Sequence, residues 1–502
     1  MGTIKEENIR MIFGLKLKQL RMDQNLSQQT LSRKTGISVS YLNEIEKGKK
    51  YPKPDKVAIL ASGLGVDYDQ LTSLKLDRNL APISDLLQSN ILSELPLDMF
   101  NIEVNKLLEV LSSDEPNKFS AFVSTIIAVC RSYDIQKETF FFSVLRSFQE
   151  MYENHFPELE EAADTFRNEY GLTNDSQQRR QVLESCLEDQ FGYQIDYEGL
   201  SAYPDLKDLR SLTIPNEVKP RLLLNSALTE RQVNFTLGRE VGYSFLNLEE
   251  RPYTASWVQV TSFEQVFNNF KASYFSNALL MPEKPFLQAL KSIFSEREFD
   301  PSKLVGLMED SGATPEMFMY RLTNLLPKHL GLNDLFFFRF SSDMEINRIA
   351  LTKELHLSRL HTPHGTMLNE HYCRRWASVE VLNKVREQLE TGPSDRAICL
   401  AQRSYYQNNN SEYLIFTLAR PQRPITNALS SVTLGLNLNE AVKRKVRFWN
   451  DPQIPTRFVS TTCERCPIHD CESRVAPPVV LAEEQRLEAM QFALQDLMND
   501  TI

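Results

Sequence analysis

The sequence predicts a multidomain α+β protein. The expected parts are an all-α head over residues 1–75, a helical linker over 76–175, a mainly α domain over 176–330 and a C-terminal α+β domain over 331–502. Three observations carry this expectation. The chain has 502 residues, and at ~100–200 residues per domain that is about three domains. The first 75 residues are a succession of short apolar-periodic segments with capping residues between them. Beyond residue 330 come apolar and aromatic runs of strand length: Leu335-Phe336-Phe337-Phe338-Arg339-Phe340, Tyr413–Leu418 and, after a turn-rich stretch, Ser431–Leu436. The composition, 42% hydrophobic and 24% charged, is that of a globular chain, which excludes the fibrous and disordered classes.

Charge divides unevenly. The chain carries −10; residues 1–75 hold 13 Lys/Arg against 8 Asp/Glu, hence +5, which leaves −15 for the remainder. A small basic end on an acidic body suits a nucleic-acid-binding head on a sensing body. The start, Met1-Gly2-Thr3-Ile4-Lys5-Glu6-Glu7, has no apolar signal-peptide core, and Glu6 stands where a myristoylation motif wants Ser or Thr. Runs such as Ile126–Cys130 are too short to span a bilayer. The expectation is a cytoplasmic protein with no membrane contact, whose seven cysteines are not a disulfide framework.

In the head, Ile9, Ile12, Leu15, Leu17 and Leu20 alternate with Arg10, Lys16, Lys18 and Arg21 at helical spacing. Ser27 caps a second helix that ends near Gly36, and Ser38 caps a third that Gly48 ends. Pro52 and Pro54 mark a turn before a fourth helix over Val57–Leu64. Two short helices joined at Thr35-Gly36-Ile37 make a helix-turn-helix, whose second member enters the major groove of double-stranded DNA. The outward positions Ser38, Ser40, Tyr41, Asn43, Lys47 and Lys49 are the candidate base and phosphate contacts. Gln28, at a helix N-terminus, is a candidate phosphate contact. The run L-S-Q-x-x-L-S-x-x-x-G-I-S-x-S-Y-L-x-x-I-E-x-G resembles the XRE-type family of the lambda and 434 repressors over about 65 residues. A bundle used only for protein contacts leaves the basic bias without a purpose.

Residues 76–175 read as linker and dimer-forming helices dense in aromatics, among them Phe140-Phe141-Phe142, Phe148, Tyr152 and Phe156. Further on, Val233–Tyr243 reads as a helix, followed by Tyr274-Phe275-Ser276-Asn277-Ala278-Leu279-Leu280-Met281-Pro282. Together these resemble the ImmA/IrrE peptidase-like family, with its pattern R-F-T-L-A-H-E-x-G-H and later E-A-x-x-F-A-x-x-L-L-M-P. In that family two His at i, i+4 and a later Glu bind zinc, and the Glu of the motif is the general base. Here Arg239 and Tyr243 replace the two His, Lys271 falls at the third ligand, and Glu240 alone remains. Arg and Lys repel a dication, so the expectation is no catalytic residue and no peptidase. Two readings stay open for this degenerate domain: scaffold only, or a positive pocket in which Arg239, Tyr243 and Lys271 contact an anionic ligand.

Near the end comes Thr462-Cys463-Glu464-Arg465-Cys466-Pro467-Ile468-His469-Asp470-Cys471. Three thiols within nine residues, two as Cys-x-x-Cys on a turn-forming loop, suit metal ligation. Cys373 is the fourth candidate, His469 the local competitor and Cys399, in an apolar strand, a distant third; Cys130 and Cys186 read as packing cysteines. A structural zinc, reduced thiols and an iron–sulfur cluster all remain open.

The order of XRE head, degenerate peptidase-like domain and C-x-x-C-P-x-x-x-C is similar to the short-chain fatty acyl regulators of propionate and acetate metabolism. In that family a C-P-L-W-like segment precedes the terminal cysteines; here Cys373-Arg374-Arg375-Trp376 stands there, keeping Cys and Trp but not Pro-Leu. The resemblance implies a [4Fe–4S] cluster on Cys373, Cys463, Cys466 and Cys471, a short-chain acyl-CoA or related anionic metabolite as ligand, and a homodimer on a palindromic operator. Two other classes weighed against it are an active ImmA/IrrE-type metallopeptidase that cleaves a repressor and a phage-type repressor without a small ligand.

Overall fold

The computed structural model describes residues 6–73, 137–215, 219–254, 260–344, 349–357, 370–392, 394–406, 410–425 and 428–499. It divides into two compact units, one of residues 1–144 with 261–264 and one of 145–260 with 265–502. Most of the expected linker, and with it Cys130, lies outside the described residues.

In the first unit five helices follow one another: α1 Glu6–Asp23, α2 Gln28–Thr35, α3 Val39–Glu46, α4 Pro54–Leu64 and α5 Tyr68–Thr72. The capping residues set their ends. The Ser27 hydroxyl accepts from the Thr30 backbone N–H at 3.1 Å and the Ser38 hydroxyl from that of Tyr41 at 3.3 Å, each satisfying a donor that the first turn leaves without a helical partner. Gly36 ends α2 with φ +68°, a left-handed conformation that costs glycine little. Leu17, Leu31, Leu42, Ile45, Leu60 and Leu71 are fully buried and hold the bundle together. At Gly14 a Cβ would stand 2.2 Å from the Ile45 carbonyl, so α1 and α3 meet backbone to backbone.

The second unit combines helices with two sheets. From residue 137 onward run α6 Lys137–Met151, α7 Pro157–Glu169, α8 Ser176–Ser185, α9 Glu230–Phe245, α10 Phe263–Leu280, α11 Glu283–Phe294, α12 Pro301–Asp310 and α13 Pro315–Leu330. Of these, α6 belongs to the second unit from residue 145 and α10 from residue 265. Strands β1 Gln194–Asp196, β2 Ser211–Ile214 and β3 Arg221–Leu224 form a small sheet in the order β1-β3-β2, with β1 parallel and β2 antiparallel to the central strand. The larger sheet contains β4 Leu335–Asp343, β5 Ile349–His356, β6 Ile398–Tyr406, β7 Ser411–Pro421, β8 Ala428–Asn437 and β9 Thr456–Val459. Its order is β5-β4-β8-β7-β6-β9, antiparallel except where β9 lies parallel to β6.

Both faces of that sheet are covered, which is why its strands read as unbroken apolar runs rather than as alternations. Leu335 and Phe337 point into a core with Phe286, Leu290 and Phe318 of the helices before them. Phe336, Phe338 and Phe340, one step along the pleat, point to the other face with Trp376, Cys373 and helix α14 Ala377–Glu390. Gly435 lies opposite Phe336, and a Cβ there would stand 2.2 Å from its ring. Packing shows no break at the expected 330/331 boundary, because Leu322 and Leu326 share one core with Phe337 and Leu434.

The short helix α15 Glu440–Lys445 follows β8, and the 21-residue helix α16 Val479–Asn499 ends the described chain. Among the described residues no helix is long and apolar enough to cross a membrane.

Candidate functional site

Helix α3 presents the expected surface. Ser38, Ser40, Lys47 and Lys49 are exposed, and Tyr41 and Asn43 are half-buried along its edge. Lys50 lies 5.9 Å from the centre of the Tyr41 ring and pairs with Glu44 at 3.0 Å. The opposite edge of the helix is fastened inward. Glu46, buried, receives both Nε and Nη2 of Arg21 at 2.6 and 2.9 Å and the Gln28 amide nitrogen at 2.8 Å. Gln28 therefore ties α2 to α3, a partner that its helix-end position did not disclose. Lys16 is internal too: its ammonium donates to the Ser73 carbonyl and hydroxyl, each at 2.6 Å, and to the Gln70 carbonyl at 3.0 Å, closing the end of α5. Two of the cations of α1, Lys16 and Arg21, thus hold the head together, and the exposed positive charge lies at Arg33, Lys34, Lys47, Lys49, Lys50 and Lys53.

Helix α9 carries the degenerate peptidase motif. It opens with a capping box between Thr229 and Gln232 and is buried continuously from Thr236 to Tyr243. Gly238 and Gly242 face α10: a Cβ on Gly238 would stand 2.7 Å from the Ser276 hydroxyl, and one on Gly242 3.2 Å from the backbone of Ala272. Glu240 is completely buried. One of its oxygens accepts from Arg251 and from the Thr213 hydroxyl at 3.1 Å, and the other faces Arg239 at 3.4 Å. Burial pushes this carboxyl up, but Arg251, then Arg239, outweigh it and hold the group below its ordinary value. Arg251 also lies 4.1 Å from the centre of the Tyr243 ring and donates to the Tyr193 hydroxyl at 2.9 Å.

Of the three residues expected to form an anion pocket, Arg239 and Tyr243 both border the Glu240–Arg251 pair, and Lys271 has an aromatic neighbour. Arg239 donates to Ser211 at 3.2 Å and faces Glu240; Tyr243 donates to Asn269 at 3.1 Å; the Lys271 ammonium lies 4.0 Å from the centre of the Phe267 ring. Arg239 and Arg251 share the single carboxylate of Glu240, which leaves one positive charge of the three over. Sequence reasoning missed Arg251, which lies eleven residues beyond Glu240 outside the motif.

Backbone pairing sets the segment that holds Cys373 beside the one that holds Cys463. Tyr372 and Thr462 form an antiparallel bridge, flanked by hydrogen bonds from the Cys373 N–H to the Thr461 carbonyl at 3.1 Å and from the Cys463 N–H to the His371 carbonyl at 2.9 Å. Glu370 and His371 fasten the same junction: Glu370 takes Arg465 at 2.8 Å and Thr462 at 2.6 Å, and Glu464 takes His371 at 2.8 Å. Arg474 then gathers the carbonyls of Cys463, Cys466 and Ile468 at 2.8, 3.1 and 2.6 Å, and its own N–H donates to the Cys471 carbonyl at 3.1 Å. Cys373, Cys463 and Cys466 are buried and Cys471 is half-buried. Burial pushes the Cys373 thiol up to about 11, and Cys466 and Cys463 add to the push. Cys399 packs into the core on the opposite face of the sheet from Cys373, and His469 is exposed.

Comparison with known proteins bears on the head and on the region of helix α9. A helix-turn-helix family model matches residues 17–71. Control protein C.BamHI of Bacillus amyloliquefaciens is 33% identical over 65 residues, which are 13% of this chain and 80% of that protein. The chain belongs to the helix-turn-helix family. The match is to a head of the XRE type, and residues 190–323 match the IrrE N-terminal-like domain of the M78 peptidases. A propionyl-CoA carboxylase regulator of Cereibacter sphaeroides is 23% identical over 332 residues, 62% of this chain. The chain spans 64% of the length of that regulator. Among solved structures, a Mycobacterium tuberculosis transcriptional regulator aligns with a TM-score of 0.45 at 17% identity, covering 67% of this chain and 94% of that one.

Proposed function

We propose that this helix-turn-helix protein is a transcription regulator whose second unit binds a short-chain acyl-CoA or similar anionic metabolite, with a thiolate-held iron–sulfur cluster on Cys373, Cys463, Cys466 and Cys471. The observation that carries the proposal is the pairing of the Cys373 segment with the Cys463 loop, which brings together buried thiols 90 residues apart in the chain. Left to themselves, buried thiols stay protonated; a metal centre supplies the positive charge that holds them as thiolates. Arg474 and the Glu370–Arg465 pair keep the loop in shape. The regulator of propionyl-CoA carboxylase among the relatives supports an acyl-CoA as the metabolite.

The alternative of a metallopeptidase is opposed by the surroundings of Glu240. A general base needs an accessible carboxylate beside a metal-bound water, and this one is enclosed by two guanidinium groups. We place the chain as a regulator without peptidase activity, acting as a homodimer on an operator in the cytoplasm. Helix α16 supports pairing of copies: Leu487, Met490, Leu494 and Leu497 recur at coiled-coil spacing and are 48–66% exposed.

The test is anaerobic purification with iron, acid-labile sulfide and zinc analysis. The expected result is about four iron and four sulfide per chain, lost in Cys373→Ser and in Cys463→Ser. One zinc and no iron would leave a structural clip and remove the cluster from the proposal. A panel of acyl-CoAs that left the unfolding temperature unchanged would remove the ligand, since binding to the native state must raise it.

A further inference from the structure

A second metal-capable group uses no residue of the cysteine loop or of helix α9. His155 sits in the turn between α6 and α7, Glu283 is the first residue of α11 and His329 lies in the last turn of α13. Their three candidate ligand atoms all lie within 4.8 Å of one another. His155 Nε2 is 3.0 Å and His329 Nε2 is 3.2 Å from the same oxygen, Oε2 of Glu283, and the two rings stand edge to face with centres 5.4 Å apart.

The positions are built, not incidental. Glu153 and Asn154 adopt φ +52° and +53°, left-handed conformations that non-glycine residues rarely hold. Asn154 is completely buried; its amide donates to Thr323 at 2.9 Å, its side-chain oxygen accepts from Gln149 at 3.0 Å and its carbonyl accepts from Asn324 at 2.9 Å. The turn that presents His155 is thereby locked to α13, which presents His329. The approach to Glu283 is fixed by Arg321, fully buried, which donates to the Met281 carbonyl at 3.0 Å and grips Glu160 with two bonds. His329 Nε2 is shut off from solvent, and its 3.2 Å approach to Glu283 is, among the described residues, its one contact with a polar partner, an ion pair outside regular hydrogen-bond geometry.

We propose that His155, Glu283 and His329 bind a divalent transition-metal ion. Metal–ligand bonds of about 2.0–2.1 Å give ligand-to-ligand edges of about 3.0 Å in an octahedral shell and about 3.3 Å in a tetrahedral one; the two nitrogen-to-oxygen edges here are 3.0 and 3.2 Å. Two imidazoles and one carboxylate suit zinc, cobalt or ferrous iron and discriminate against hard cations, which prefer oxygen alone. Three protein ligands leave a position open, and the side chains of His329 and Glu283 are 26% and 23% exposed, which leaves an access from one side. The ion would clamp the 152–156 turn to the start of α11 and the end of α13. The site does not use the cysteines or the helix α9 motif.

The experiment uses the full 502-residue chain, stripped with chelator under reducing conditions and titrated with Co²⁺ and, separately, Zn²⁺. Beside any sulfur charge transfer from the cysteines, wild type is expected to show weak visible cobalt bands of nitrogen and oxygen ligation, to retain one more zinc equivalent than His329→Gln after desalting, and to gain thermal stability with zinc. Cys463→Ser is expected to keep those bands. Glu283→Gln, nearly isosteric, should lose them with its fold intact by circular dichroism, which keeps the test decisive should His329→Gln misfold. Equal zinc content in wild type and Glu283→Gln, or cobalt bands that vanish only in Cys463→Ser, would overturn the proposal and leave the cluster an ordinary hydrogen-bonded ion group.

Discussion

Helices α3 and α9 both carry a family pattern, yet their polar residues have opposite fates. In α3 the residues expected to meet DNA face outward, and only Glu46 turns in. In α9 the charged pair at the heart of the motif is buried, and each charge has a partner inside the protein. The difference teaches that a motif keeps its chemistry where its polar groups lack internal partners. Where Arg251 and Thr213 complete the shell of a carboxylate, the same pattern has become a structural pin.

The sharpest way to break this comparison is Arg251→Ala. It would strand Glu240 as a buried charge, and removal of one member of such a pair costs about 3–5 kcal/mol; urea unfolding should show it, and a loss under 1 kcal/mol would return Glu240 to the list of available bases. The same pair has a pH signature. Because the Glu240 carboxyl is held below its ordinary value of 4.5, its contribution is full above that value and is lost as pH falls through the lower folded value. Acid unfolding curves of wild type should therefore steepen below pH 4.5, and those of Glu240→Gln should lack that component.

Gly242→Ala tests the packing of the pin. A methyl group would meet Phe275 at 3.0 Å and the Ala272 backbone at 3.2 Å, and overpacking of this kind costs about 1–3 kcal/mol; an unchanged midpoint would show that α9 and α10 can part. On α3, Asn43→Ala should weaken operator binding by about 1–3 kcal/mol and relax specificity at one base pair, with the unfolding midpoint nearly unmoved. Full affinity in a folded Asn43→Ala, Lys47→Ala double variant would displace the recognition surface. Lys47→Ala alone should lower the salt dependence of binding by about one unit. The smallest effect is Ser38→Ala, which removes the cap on α3 at a cost of about 1 kcal/mol.

Legibility followed the range of the forces involved. The head could be read almost residue by residue, because caps and helix ends act within three or four positions: Ser27, Ser38 and Gly36 all do in the structure what their types foretold. The strands Leu335–Phe340 and Tyr413–Leu418 were legible as apolar runs, and the preference for Cys373 over Cys399 agrees with the face of the sheet each occupies. Arg251, Lys16 and Gln28 were not legible in their actual roles, since an ion pair or buried donor depends on where the chain returns in space and leaves no local period.

By itself the sequence determined the helix-turn-helix, the loss of the zinc-binding histidines and the set of thiols near the C-terminus, each a matter of residue type at short spacing. Only the tertiary structure decided which charges stay at the surface, that Glu240 is sealed by two arginines, and that His155 meets Glu283 across 128 positions and His329 beside it. Electrostatic and ligand geometry falls off within a few ångströms of space, whatever the separation along the chain. Side chains from distant segments acquire a common chemistry only when the packed core has brought them together.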